Sequence, residues 1–379
     1  MLKFLTTLGA IPTLRLGCFV LIVSCAGIAL SQDGEISINA IEQRWLEREA
    51  QFATIDISWR ESEVRRRPQE APKDPFSTNE NAPSTLHRHS YERRLVLSGN
   101  QARFEDNAPQ WYLSAGGYST AKTIEVDDGV VSKTLTKHSV PDTFPLQGVI
   151  QAQGQVSKNL HSLNDLQALF DHYRPSVRLM PLIRRGIVSQ RTVQINDREC
   201  IIVLVRRQSG KRWFDISYSL DPQLGFAVRR IVQEVDAKVV GQHDREYVVN
   251  AESGLLLQSW KMTTLLSTGE LDREIEATIN EQKINGTVSP DTFTLSFPPT
   301  TLITKVAGGE GTHAIQRTDG STRSVSRSEL SHLTPKQIIA RENPGYSLLL
   351  WMTVLLALGG VLFGILVLRR RVGRSLHCS

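Results

Sequence analysis

Few residues in this 379-residue chain stand in types and spacings that could do chemistry. His87 and His89, two apart in "LHRHS", offer a pair of imidazoles that can hold a metal ion. No cysteine stands beside them, and the polar surroundings favour a solvated loop. Asp127 and Asp128 in "VDDG" could form a carboxylate pair for acid–base work, yet an Asp-Gly step beside valines is chiefly a hairpin turn. Asn285-Gly286-Thr287 matches a glycosylation acceptor; the plainer reading is an Asn-Gly turn. The four cysteines are Cys18, Cys25, Cys200 and Cys378. Cys200, against the strand-like "IIVLV", reads as a small buried residue rather than a nucleophile. With the others assigned to the chain ends, no disulfide or cysteine-pair zinc site is expected in the mature domain. The metalloprotease, nucleophile-elbow, P-loop and dinucleotide-binding signatures are absent from the sequence. No catalytic residue, metal or cofactor is expected, and the chain does not read as an enzyme.

The aromatic residues are more suggestive. Trp59, Trp111, Trp213 and Trp260 fall in or beside expected strands, with Ile57, Phe214, Tyr218, Phe293 and Phe297. Large aromatics in strands ordinarily fill a core. A curved sheet with an unfilled interior would use the same residues to line an apolar ligand cavity. On that second reading, a glutamate in place of Trp59 or Trp260 abolishes acyl-chain binding and leaves the fold intact.

The elements that must position them follow from periodicity. "ISINAIEQRWLEREA" (Ile36 to Ala50) places Ile38, Ile41 and Trp45 on one face of a helix. "FATIDISWRESEVRR" then alternates, with Ala53, Ile55, Ile57 and Trp59 facing one way. Residues 65–90 read as a long loop, 91–107 as strand, turn and strand, 134–155 as irregular, and 164–173 as a helix capped by Asn164. Further strands are expected at 187–195, 200–206, 213–220, 226–235, 246–249, 255–264, 275–284 and 292–296. Their short joints ("NDRE", "QSGK", "DPQLG", "NAESG", "STGE") predict an antiparallel meander.

The two ends read as membrane-related. Lys3 and Arg15 precede an apolar run from Leu16 to Leu30, and "ALS" offers a cleavage site, so 1–31 is expected to be a signal peptide. A retained signal anchor and lipidation at Cys25 in "IVSC" are the alternatives. Residues 346–368 carry no charge and are long enough for a transmembrane helix. Arg369, Arg370, Arg371 and Arg374 then mark a cytoplasmic tail, 369–379. Gly360 and Gly364 form a GxxxG pair that can let two such helices approach. The expected location is the cell inner membrane, single-pass, with the ectodomain in the periplasm. Lys3, Arg15 and the four tail arginines carry +6 of a net charge of +5. The ectodomain is therefore near neutral, at −1, which argues against a nucleic-acid partner.

One helix, an opening strand and the meander are joined by two longer stretches: "LDPQLGFAVRRI" (Leu220 to Ile231) and "IEATINEQKINGTVSPDTFTLSFPPTTLI" (Ile275 to Ile303). Together they resemble the lipoprotein-carrier family, the LolA/LolB-like fold, and its relative that regulates the periplasmic stress response. The resemblance spans Ile36 to Lys305. It implies an incomplete, strongly curved antiparallel barrel covered by helices, with an apolar cavity for acyl chains. The soluble carriers lack a membrane anchor and are shorter, so the fold and a lipid-sized cavity carry over but not the shuttling role. The expected fold class is thus α+β: a curved antiparallel sheet covered by helices, plus one C-terminal transmembrane helix. Residues 32–305 would form the periplasmic domain, with 306–345 a polar linker or small hairpin. Two functions are expected: a non-catalytic module that binds a lipid, acyl chain or lipoprotein, or an envelope structural or signalling protein whose domain binds a protein partner.

Overall fold

The computed structural model describes residues 36–66, 86–112, 117–138, 146–152, 166–209, 212–307 and 310–342, with 352, 355 and 356 beyond them. The chain opens with helix α1 (Ile38–Ala50). Ser37 caps it, its hydroxyl accepting from the Ala40 amide at 3.2 Å, and Ile41, Trp45 and Arg48 lie on its buried face. Six strands follow: β1 (Thr54–Arg66), β2 (Leu86–Ser98), β3 (Gln101–Tyr112), β4 (Gly117–Asp127), β5 (Val131–His138) and β6 (Gln147–Ala152). Two short helices come next, α2 (Gln167–Tyr173) and α3 (Pro175–Ile183). A second run holds β7 (Ile187–Ile195), β8 (Arg198–Ser209), β9 (Arg212–Asp221), β10 (Ala227–Val235), β11 (Lys238–Asn250), β12 (Gly254–Leu265) and β13 (Leu271–Ile284). The described chain ends in β14 (Leu302–Ala307), β15 (Glu310–Gln316), β16 (Thr322–Val325), α4 (Arg327–Leu330) and α5 (Pro335–Glu342).

Among the described residues all sixteen strands join one sheet, in the order 7-8-9-10-11-12-13-1-2-3-4-5-6-14-15-16. β7 and β16 stand at opposite edges, so the sheet is open. Register shifts at Ser58/Trp59, Val228/Arg230 and Glu246/Tyr247 are bulges that add twist and bend the ladder. The three helices α1, α2 and α3 lie on one face, here the inner face. Ile55, Ile57 and Trp59 point to it with Leu95, Leu97, Phe104, Leu169, Phe170 and Trp260, forming one core. Ile41, Trp45, Leu179 and Ile183 pack on Val203, Tyr218, Leu220 and Ile231 in a second.

The expectation of a purely antiparallel sheet is overturned. β14 pairs with β6 in parallel, Ile303 opposite Gly148, and the sheet is mixed. The cause is the route taken after β13. Residues 286–301 cross the outer face, where Phe293 and Leu295 cover Val96 and Val126. The chain thereby reaches the far edge of β6 pointing the same way. The strand expected at 292–296 is consequently a short 3-10 turn, Pro290–Phe293, with an unpaired extended segment after it. Residues 134–155, expected to be irregular, supply most of β5 and all of β6. The stretch expected as linker or hairpin carries β15, β16, α4 and α5, whose Ile315, Val325 and Ile338 form a small core of their own.

The transmembrane helix of the expected fold class is also not shown: among the described residues no helix is long and apolar enough to cross a membrane. Of residues 346–368 only Met352, Leu355 and Leu356 are described, and all three are exposed. The expected signal peptide with Cys25, the Gly360/Gly364 pair, and Arg369, Arg370, Arg371 and Arg374 lie outside the described residues.

Gly148 shows how closely residues 286–301 approach the sheet. A Cβ added there would stand 2.8 Å from the Phe297 ring. Gly148→Val is expected to destabilise the chain by about 1–3 kcal/mol through overpacking, read as a fall in the urea midpoint. An unchanged midpoint would mean that Phe297 does not seat on β6.

Candidate functional site

The register of the inner face brings side chains from distant strands into rows. Trp59 is fully buried, its ring centroid 6.3 Å from Phe104 and 5.8 Å from Trp260. The same phase of β1 continues from Ile55, Ile57 and Trp59 into Glu61 and Glu63, which are also buried. Glu61 accepts from Trp59 Nε1 at 3.1 Å and from Arg93 Nη1 at 2.7 Å, while Arg93 Nε donates to Asp106 at 2.9 Å. Glu63 accepts from the Tyr91 hydroxyl and from Arg273 Nε. Burial opposes its charge, but Arg273 and Tyr91 hold its carboxyl below the usual range. Buried carboxylates are tolerable here because each has a donor.

A second polar group lies under the helices, between the two apolar cores. Asp171 on α2 accepts from Arg245 Nη2 on β11 at 2.7 Å, and both are buried. His172 places Nε2 3.0 Å from the Leu255 carbonyl, and its ring lies 5.0 Å from Tyr247. Burial and the nearby Arg48 and Arg245 push its pKa well below the ordinary histidine value, so it is neutral. Arg48, from the last turn of α1, reaches the Gly225 carbonyl at 3.4 Å. Burial lowers its pKa to about 10. The "DPQLG" turn serves as the mount: Asp221 caps it, Gly225 and Phe226 both take positive φ, and the Phe226 carbonyl accepts from Trp45 Nε1 at 2.8 Å. Beside this mount a groove of about 300 Å³ is lined by Arg48, Gln51, Leu224, Gly225, Val249 and Leu255, with Gln223 and the Arg44–Glu47 ion pair also among its walls.

The residues expected to line one cavity are distributed instead. Ile57, Trp59 and Trp260 sit in the first core and Tyr218 in the second. Phe293 and Phe297 are on the outer face. Trp213 is exposed on β9 with the Arg206 guanidinium 5.7 Å over its ring, and Phe214 has Arg207 at 5.2 Å. Trp111 falls on β3, and its side chain lies outside the described ones. Since Trp59 packs against Phe104 and Trp260 with no exposed surface, Trp59→Glu would bury a charge and read out folding rather than binding.

The other candidates have structural roles. His87 and His89 stack 6.2 Å apart on β2, not in a loop, and among the described residues no group of three metal-ligating side chains forms. Asp127 and Asp128 make a turn: Asp128 accepts from the Val130 and Val131 amides, and Asp127 from the Ser132 hydroxyl. Asn285 is not a hairpin turn. Its φ is 56°, and its side chain accepts from the Ala53 amide at 2.8 Å and donates to the Gln51 carbonyl at 2.7 Å, tying β13 to the end of α1. The buried Cys200 thiol is pushed up to about 11, by burial first and by Asp221 second. At pH 8 about one thiol in a thousand would be ionised. Iodoacetamide should leave Cys200 unmodified in the folded chain and alkylate it in urea, as read by peptide mass spectrometry.

No family model matches the chain, and no curated protein matches it. Among solved structures, a LolA superfamily protein from Nitrosomonas europaea is similar at 10% identity, with 69% of this chain and 99% of that one covered and a TM-score of 0.33. Two crystal forms of PNGF-II are similar at 6% identity and a TM-score of 0.22. They cover 67% of this chain, which spans about a third of their length. Likenesses at these TM-scores carry no argument about activity or ligand, and the functional reading rests on the geometry.

Proposed function

We propose that this chain is a non-catalytic binding module, facing the periplasm, that takes up an amphiphile (a lipid, an acyl chain or a lipoprotein) between its helices and the inner face of its sheet. The observation that supports this reading is the character of the helical cover. α2 and α3 have no side-chain cap, and α3 contains Pro181. Both bury apolar residues on a broad apolar sheet face, and the polar group between the cores leaves several buried donors unbonded. Helices this short have little stability of their own, so what holds them is their packing on this face and a few side-chain hydrogen bonds such as Tyr173 to Gln282. Lifting them opens the surface around Trp260 and Leu257 to an acyl chain, which gains about 0.8 kcal/mol per buried methylene.

The test uses the full chain in lipid-free amphipol, titrated with a brominated fatty acid. Saturable quenching of tryptophan emission, reduced in Trp260→Phe, is the expected result. Emission that stays unquenched at saturating ligand in the wild type would sink the reading.

A further inference from the structure

The group between the two cores holds more positive charge than the protein answers. Arg48 and Arg245 are both at least nine-tenths buried. Arg245 is paired with Asp171 through Nη2 and has the Tyr247 side chain as a polar neighbour, while its Nε and Nη1 make no well-formed hydrogen bond. Arg48 is barer still. Among the described residues no carboxylate pairs with it, and both Nε and Nη2 are unpartnered. Its sequence neighbour Glu49 is turned away, accepting from the Ser176 amide and hydroxyl at 3.0 and 2.7 Å.

Nε and Nη2 are the two donors on one edge of a guanidinium, the edge that meets two oxygens of a carboxylate or phosphate in parallel hydrogen bonds. A buried donor without a partner carries its full desolvation cost, so a whole unpartnered edge marks a place that something else fills. Arg48 also lines the groove beside the "DPQLG" turn, whose other walls include Leu224, Val249 and Leu255. A cation whose unpartnered fork is shut off from solvent stands there, next to Leu224, Val249 and Leu255 and to the Arg44–Glu47 ion pair, in which the one carboxylate of the groove is already engaged.

We propose that Arg48 is an oxyanion subsite that receives a carboxylate or phosphate entering from this groove, as the headgroup of the amphiphile whose chain lies under the helices. The subsite deepens the binding reading above and rests on it. Arg245 stands behind Arg48 and adds to the positive field, while the neutral His172 adds no competing charge.

The experiment measures affinity of the full chain by calorimetry for sodium octanoate, for neutral 1-octanol and for inorganic phosphate, in wild type, Arg48→Gln and Arg48→Lys. Octanoate should bind at least tenfold tighter than octanol to the wild type. Arg48→Gln should remove that preference while leaving octanol affinity unchanged, a readout that a merely unfolded variant would not give. Arg48→Lys keeps the charge but not the fork, and should lose most of the preference. Octanoate and octanol binding equally in all three proteins would overturn the subsite and leave the amphiphile reading standing. Phosphate binding that depends on Arg48, with octanol inert and octanoate no tighter than phosphate, would support the subsite with a free anion as its ligand and sink the amphiphile reading. Failure of every anion to bind the wild type would overturn the subsite, with water filling the edge.

Discussion

Replacing Asp171 by alanine is expected to destabilise the chain by about 3–5 kcal/mol, the cost of leaving a buried charge without its partner. Asp171 holds Arg245 at 2.7 Å where neither side chain meets solvent, and among the described residues Arg245 forms no second ion pair. The guanidinium already has two unbonded nitrogens, and its other polar neighbour, the neutral Tyr247 side chain, cannot replace the lost charge when the carboxylate goes. Arg48, whose positive charge acts on the same His172, adds repulsion. The pair itself need not be strongly stabilising, because desolvation of two ions offsets most of their attraction. The informative comparison is therefore Asp171→Ala against Asp171→Leu/Arg245→Met. The double variant, which removes both charges and keeps apolar volume, should lie within about 1–2 kcal/mol of wild type. Urea midpoints at one pH measure all three. If Asp171→Ala costs no more than the double variant, Arg245 is reached by water and the group is not buried in solution.

Much of this arrangement is legible in the sequence, and the parts that are not have definite causes. The alternation through Ile55, Ile57 and Trp59 predicts the inner face of β1, and its continuation into Glu61 and Glu63 on the same phase is the signal that the face turns polar. Arg48 likewise follows Ile41 and Trp45 at helical spacing, on the buried side of α1. A charged residue in the apolar phase is the available marker for both polar groups. Their partners are not legible, since Asp171 and Arg245 are 74 positions apart and meet only through the fold. The parallel pairing of β6 escapes for the same reason, its partner β14 lying some 150 residues downstream. The segment "TFTLSF" misleads in a different way. Alternation reports that one side of an extended chain is buried, not that its backbone is paired. Phe293, Leu295 and Phe297 are laid on the outer face of the sheet while their own backbone joins no ladder.

Glutamate 125 carries the second large effect, and it depends on pH. It lies on the inner face of β4, opposite Phe104 on β3 and Thr134 on β5. Burial, and secondarily the Asp106 carboxylate, push its pKa from 4.5 up to about 7. No hydrogen bond or ion pair reaches its carboxylate among the described residues, since Arg93 is engaged by Glu61 and Asp106. The folded state thus favours the protonated acid. Below about pH 4.5 the group is protonated folded or unfolded and has no effect on stability. As pH rises toward 7 the unfolded chain gives up its proton and the folded chain resists, so stability falls, and above 7 the deficit is constant. The difference of about 2.5 pH units corresponds to about 3 kcal/mol. Glu125→Gln, neutral at every pH, should match the wild type at pH 4 and exceed it by up to about 3 kcal/mol at pH 8. Parallel stability curves for the two proteins from pH 4 to 8 would show that Glu125 ionises freely, and that the row from Phe104 to Thr134 is open to water.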